Sequence, residues 1–175
     1  MYKLVMAVGA LTLMTACSKQ PELEQRTESA PTEATSSLAQ YKAQAETLLA
    51  DIRIEKGAAA LEAQSANLVT LSRTLLNEFV AKYPQCQTYL DALDKAADII
   101  PTLPLEEIET GYHADGKLPK FDDPVCYHAK DLLVHPATVQ AIAMKGFSGA
   151  EDYKSAEMEI VEVIAHFDQV ERALK

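Results

Sequence analysis

The spacing of apolar side chains constrains this chain more than any other feature. Leu61, Leu68, Leu71, Leu75, Leu76, Phe79 and Val80 recur at intervals that place them on one face of a helix, and Pro84 after Tyr83 closes the run. An earlier stripe runs through Leu38, Tyr41, Ala45, Leu48, Leu49 and Ile52 before Gly57 interrupts it. That glycine is either an interior residue or a break between two helices. No stretch alternates at period two long enough to form a competing strand pattern. The fold class expected is therefore all-α, an antiparallel helical bundle of about four main helices plus short ones.

The remaining elements follow from punctuation. A shorter helix is expected over Cys86 to Ile99 through Tyr89, Leu90, Leu93 and Ala97, with a turn at Pro101 and Pro104. Thr102 is a candidate cap for the short helix that follows, and Glu106 and Glu107 suit its amino end. The polar segment Gly111 to Asp123 reads as the longest candidate functional loop. Asp123 and Pro124 make a good helix start, carrying Val125, Cys126, Ala129, Leu132 and Leu133 until Pro136 perturbs the chain. Pro136 is expected to begin another short helix, with Val139, Ile142, Ala143 and Met144 inward and Gly146 closing it. Ser148 and Glu151 have the spacing of a capping box for a last helix whose Tyr153, Met158, Ile160, Val161, Val163, Ile164 and Phe167 form a broad apolar surface.

The amino terminus needs a separate reading. Lys3 precedes a mostly apolar run from Leu4 to Met14 of about eleven residues, too short to span a bilayer but suited to a secretion signal. The run ends in Met14, Thr15, Ala16 and Cys17, which resembles the signal peptide and lipobox of bacterial lipoprotein precursors, with methionine in place of the commoner leucine. The resemblance covers about seventeen residues and implies cleavage before Cys17 and lipidation of that cysteine. Ser18 in place of aspartate implies sorting to an outer membrane, facing the periplasm. Two or three acyl chains hold a protein firmly at a bilayer where one does not. The chain thus divides into a leader over 1–16, an acylated cysteine and flexible tether over 17–37, and a helical domain over 38–175. The tether assignment rests on Pro21, Pro31 and the surrounding Glu, Ser and Thr.

Charge and cysteine usage narrow the partners. The whole chain carries a formal charge of -10, and loss of Lys3 with the leader makes the remainder one unit more negative. Nucleic acid is an unsuitable partner for such a surface, and the membrane is expected to be met through the lipid anchor only. Cys86 and Cys126 remain after lipidation and are expected to form a disulfide in an oxidising compartment, against the alternatives of free thiols or a metal site.

His113, His128 and His135 are concentrated within twenty-three residues, beside Tyr112, Asp115, Asp122, Asp123 and Tyr127. Imidazoles and carboxylates of this kind suit a transition metal, although no HExxH, paired CxxC or CxxCH occurs. On a straight helix His128 and His135 lie about 10 Å apart along the axis, too far to share one ion, whereas His113 can fold back from its loop onto His128. The competing assignment is to ordinary core, cap or surface histidines. Met144, Met158 and His166 offer a weak haem-ligand set, and methionines at helical spacing are more often core filler. Ser148, His166 and Asp168 have the residue types of a hydrolase, but His166 and Asp168 are two apart on one helix and point away from each other. No phosphate loop or EF-hand is present.

These features lead to a lipid-anchored cell-envelope protein with a noncatalytic binding or structural role, engaging an envelope protein or a small ligand and needing no cofactor. The alternative is a periplasmic metal-binding or redox protein using the histidines between 113 and 135, and a hydrolase is the weakest of the three.

Overall fold

The computed structural model describes residues 36–175; the leader, Cys17 and nearly all of the expected tether lie outside the described residues. Four long helices form the frame: α1 (Ser37–Arg53), α2 (Ala58–Lys82), α5 (Val125–Lys145) and α6 (Ala150–Leu174). Shorter α3 (Gln87–Ala96) and α4 (Leu105–Ile108) occupy the long α2–α5 connection, together with 3₁₀ turns at Pro84–Cys86 and Ile100–Thr102. No strand occurs among the described residues, so the protein is an all-α bundle. None of the described helices is long and apolar enough to cross a membrane.

Each long helix packs against two others, in the cyclic order α1, α2, α5, α6. Pairs across the interfaces fix the directions. Gln44 meets Asn67 and Asp51 meets Gln64 between α1 and α2, while Lys42 meets Glu171 and Arg53 meets Glu157 between α1 and α6. In each pair of contacts residue numbers rise on one helix as they fall on the other, so these neighbours are antiparallel. Tyr41, Ala45, Leu48 and Ile52 from α1, Leu61, Leu68, Leu75 and Phe79 from α2, and Ile160, Val163, Phe167 and Val170 from α6 fill one core.

The Gly57 region is a break, but the stop lies upstream of the glycine. Glu55 adopts φ 53, its N–H donates to the Ile52 carbonyl, and the Lys56 N–H donates to Asp51. This is the two-bond Schellman arrangement with glutamate where glycine is usual. Gly57 itself has an ordinary φ of -61 and open space around it.

Pro136 differs from expectation more sharply, because α5 runs through it without a second helix start. Proline has no N–H, so the carbonyl of Leu132 loses its intrahelical donor in the middle of the core. Two other helices replace it. The Tyr41 hydroxyl of α1 donates to that carbonyl at 2.8 Å, and the Ser72 hydroxyl of α2 reaches it while also approaching Leu68 of its own helix. Burial pushes the Tyr41 phenol well above its ordinary pKa, so it keeps the proton it donates.

Smaller corrections concern caps and facing. Thr102 donates to the Ile99 carbonyl inside a 3₁₀ turn, and Pro104 precedes α4. The Ser148 N–H donates to Asp152, rather than Glu151 forming the capping box. Met144, Met158 and Val161 are exposed, so the inward faces of α5 and α6 are narrower than their apolar content suggests. Asp123 caps α5 as expected, accepting from the Val125 N–H at 3.0 Å. Cys86 and Cys126 are bridged, tying the start of α3 to the first turn of α5 across a sequence separation of 40. Cross-linking a loop of that length contributes roughly 3–4 kcal/mol in the chain-entropy account.

Candidate metal centre

α5 and α6 carry matching polar stripes. His128, Asp131 and His135 on α5, and Glu159, Glu162 and His166 on α6, each follow a spacing of three then four, which puts each set on one helical face. Because the helices are antiparallel, the stripes meet in reverse order. His135 Nδ1 lies 2.7 Å from Glu159 Oε2, and His166 Nδ1 lies 2.9 Å from Asp131 Oδ2.

His113 arrives from the third side. Its segment, Glu109–His113, is a π-helical turn continuing directly from α4, a form common at functional positions. The turn is closed by bonds from Gly116 to Thr110 and from Lys117 to Gly111. A Cβ at Gly116 would stand 2.4 Å from the Thr110 oxygen, so only glycine fits there. Lys130, fully buried on α5, clamps the turn in place. Its ammonium donates to the His113 carbonyl at 2.7 Å and to Asp115 at 3.2 Å, and sits 4.2 Å from the centre of the Tyr127 ring. Tyr89 donates a further hydrogen bond to Asp115. The buried ammonium is thereby both paired and hydrogen-bonded, as its desolvation requires.

The result is one compact donor set. Ligand atoms of His113, His135 and Glu159 all lie within 4.8 Å of one another. Glu159 Oε2 is shared, standing 3.6 Å from His113 Nε2, and the two imidazole rings meet edge to face at 4.8 Å between centroids. His113 Nε2 is also 3.0 Å from the Thr138 hydroxyl, whose own proton goes to the Val134 carbonyl, so in the ion-free site this nitrogen carries the proton it donates there and would have to release it to ligate a metal. Desolvation lowers the pKa of His113 despite the opposing carboxylate of Glu159, which favours the neutral form that a metal needs.

The set opens on a cavity of about 570 Å³ lined also by Glu109, Asp131, Glu162, His166 and Met158. Four carboxylates and no lysine or arginine face it. A cation is the ligand this lining attracts.

Of the three histidines singled out in the sequence, the structure brings His113 and His135 together and places His128 elsewhere, 6.2 Å from the ring of His166. The seven-residue separation acts as the helix pitch requires, with His113 folding onto His135 rather than onto His128. Glu159, Asp131 and Glu162 went unselected. Their signal was the interruption of the inner face of α5 and α6 by ionisable residues at helical spacing. Ser148 is held by Asp152, His166 faces Asp131 and Asp168 is exposed, so the three residue types of a hydrolase are engaged separately.

No protein-family model matches the chain, and neither a curated protein nor a solved structure is detectably similar to it. The site therefore has to be read from its own chemistry.

Proposed function

We propose that this chain is a lipid-anchored cell-envelope protein that captures a divalent transition-metal ion at His113, His135 and Glu159. The observation that carries the reading is the convergence of two imidazoles and one carboxylate from three separate segments within 4.8 Å. Two nitrogens and an oxygen suit zinc, and also cobalt, nickel or copper, and three protein ligands leave a further position open to the cavity. The role is one of binding. It combines the anchored module expected from Met14–Thr15–Ala16–Cys17 with the metal alternative expected from the histidines. The anchor would hold the bundle at the periplasmic face of an outer membrane, and the segment before Ser36 would give it reach.

The test uses the full chain without a histidine tag, extracted in detergent, stripped with a chelator and titrated with Zn²⁺. At least one equivalent should bind, and His113→Ala and Glu159→Gln should each weaken the tightest site tenfold or more. Absence of bound Zn²⁺, Co²⁺, Ni²⁺ and Cu²⁺ in the unaltered protein would overturn the reading. For the anchor, Cys17→Ser should move the protein from the membrane to the soluble fraction, and unchanged membrane retention would remove the lipid attachment.

A further inference from the structure

We infer that Asp131 is a positioning residue of the metal centre: paired with His166, its carboxylate selects the form of His135 that carries hydrogen on Nε2 and offers the Nδ1 lone pair to the ion. The inference rests on the metal reading above and deepens it. The two nitrogens of the buried His135 ring face different surroundings. Nδ1 lies 2.7 Å from Glu159 Oε2, on the side of the donor set, whereas Nε2 lies 3.8 Å from Asp131 Oδ1 and 3.6 Å from Glu162 Oε2.

Ion binding has to change this ring. Opposite a carboxylate at 2.7 Å, Nδ1 is the donor, so it carries hydrogen before an ion arrives. A metal takes a lone pair, and the Nδ1 proton must leave. From a cationic ring it goes to solvent; in a neutral ring its loss is matched by a proton taken up at Nε2. Either way the form that ligates through Nδ1 keeps its one hydrogen on Nε2, where it faces two carboxylates. The opposite form would aim the Nε2 lone pair at the same two anions, with no lysine or arginine lining the cavity to relieve it. An acceptor at the far nitrogen of a ligating imidazole fixes the tautomer and ring orientation and raises the basicity of the ligating atom.

Asp131 carries more of this task than Glu162. Its side chain is 2% exposed against 58% for Glu162, so solvent screens its charge far less. It precedes His135 by four residues on α5, and the helix itself sets their spacing. Its other oxygen is engaged, because Oδ2 stands 2.9 Å from His166 Nδ1 as an ion pair without an aligned hydrogen bond. At 3.8 Å the contact between Oδ1 and His135 is longer than a hydrogen bond. It acts as a charge–dipole attraction, which a tilt of the ring on ligation would shorten.

Two measurements on the full chain, without a histidine tag and in detergent, test this. Competition with a chelating dye gives the Zn²⁺ affinity of the unaltered protein, Asp131→Asn and Asp131→Leu. Long-range ¹H–¹⁵N correlation spectra of the Zn²⁺-loaded protein give the histidine tautomers, with the His135 signals assigned by their loss in His135→Gln. The unaltered protein should show His135 protonated at Nε2 and bound through Nδ1. All three proteins of the competition series should take one equivalent at this site, with affinity about tenfold weaker in Asp131→Asn and about a hundredfold weaker in Asp131→Leu. Zero equivalents in the unaltered protein would overturn the metal reading, and this inference with it. Zinc bound through His135 Nε2, or affinity equal in all three proteins, would overturn the inference alone. Complete loss of binding in a folded Asp131→Asn would make Asp131 a ligand and overturn it as well. Circular dichroism in chelator reports the fold of each variant, and if Asp131→Leu does not fold, Asp131→Asn and the tautomer of the unaltered protein decide.

Discussion

α5 buries polar atoms on two sides, and the two sides treat them differently. Toward α1 and α2, the Leu132 carbonyl left without a donor by Pro136 is met by the hydroxyls of Tyr41 and Ser72. Toward α6, His128, Asp131 and His166 keep three buried atoms without a hydrogen bond. A fold tolerates neither arrangement without reason, since an unsatisfied buried polar group costs about 1–3 kcal/mol. The first side satisfies its polar groups with hydrogen bonds inside the chain, while the second holds Asp131 against His166 at 2.9 Å as an ion pair without an aligned hydrogen bond. One helix thus carries a hydrogen-bonded polar cluster on one side and an ion-paired one on the other.

The largest expected effect tests the satisfied side. Tyr41→Phe and Ser72→Ala should each cost about 1 kcal/mol, because the other hydroxyl still serves Leu132. The double variant should cost about 3 kcal/mol, more than the singles together, because the carbonyl then has no donor in a closed core. Urea unfolding followed by circular dichroism measures all three. A double variant no less stable than the worse single would show that the two hydroxyls do not support Leu132.

Pro136→Ala sharpens the same point with a smaller effect. It restores the missing N–H, so in the Tyr41→Phe, Ser72→Ala background it should recover about 1–2 kcal/mol. In the unaltered protein the carbonyl is already supplied, and the change should stay within about 1 kcal/mol, helix propensity and unfolded-chain entropy pulling in opposite directions. Equal effects in both backgrounds would break the link between the proline and the hydroxyls.

These two sides also mark what the sequence reveals and what it hides. The main helices were legible because their apolar intervals, such as Leu61 to Val80, depend only on local period. The continuity of α5 was not legible, since the donors that make Pro136 tolerable come from residues 91 and 60 positions away from Leu132. The Gly57 break was half legible, because Glu55 takes the left-handed conformation that glycine usually supplies. At the centre, His113 and His135 stood out as rare residue types in a small window. Glu159 and Glu162 did not, because acids on a terminal helix read as a solvated face until the direction of α6 against α5 is known. Asp131 was hidden between Lys130 and Leu132 for the same reason, its role set by what faces it.

The smallest expected effect lies on the unsatisfied side and decides whether the comparison holds. Asp131 is buried, and desolvation raises its carboxyl pKa against the lowering influence of His135, Lys130 and His166. Its Oδ2 makes no hydrogen bond that folding would lose on substitution. Asp131→Asn keeps the shape and removes a charge whose burial is unfavourable, at the expense of attraction to the neighbouring cationic groups. These opposing contributions should leave unfolding stability in chelator within about 1 kcal/mol of the unaltered protein. If the ion-free variant instead loses about 3 kcal/mol or more, as expected when one partner of a structural buried pair is removed, Asp131 belongs with Tyr41 and Ser72 as part of the frame. A small change, by contrast, places the carboxylate among groups that the folded chain holds in position without depending on them, which is the property a ligand-binding residue has and a structural one lacks.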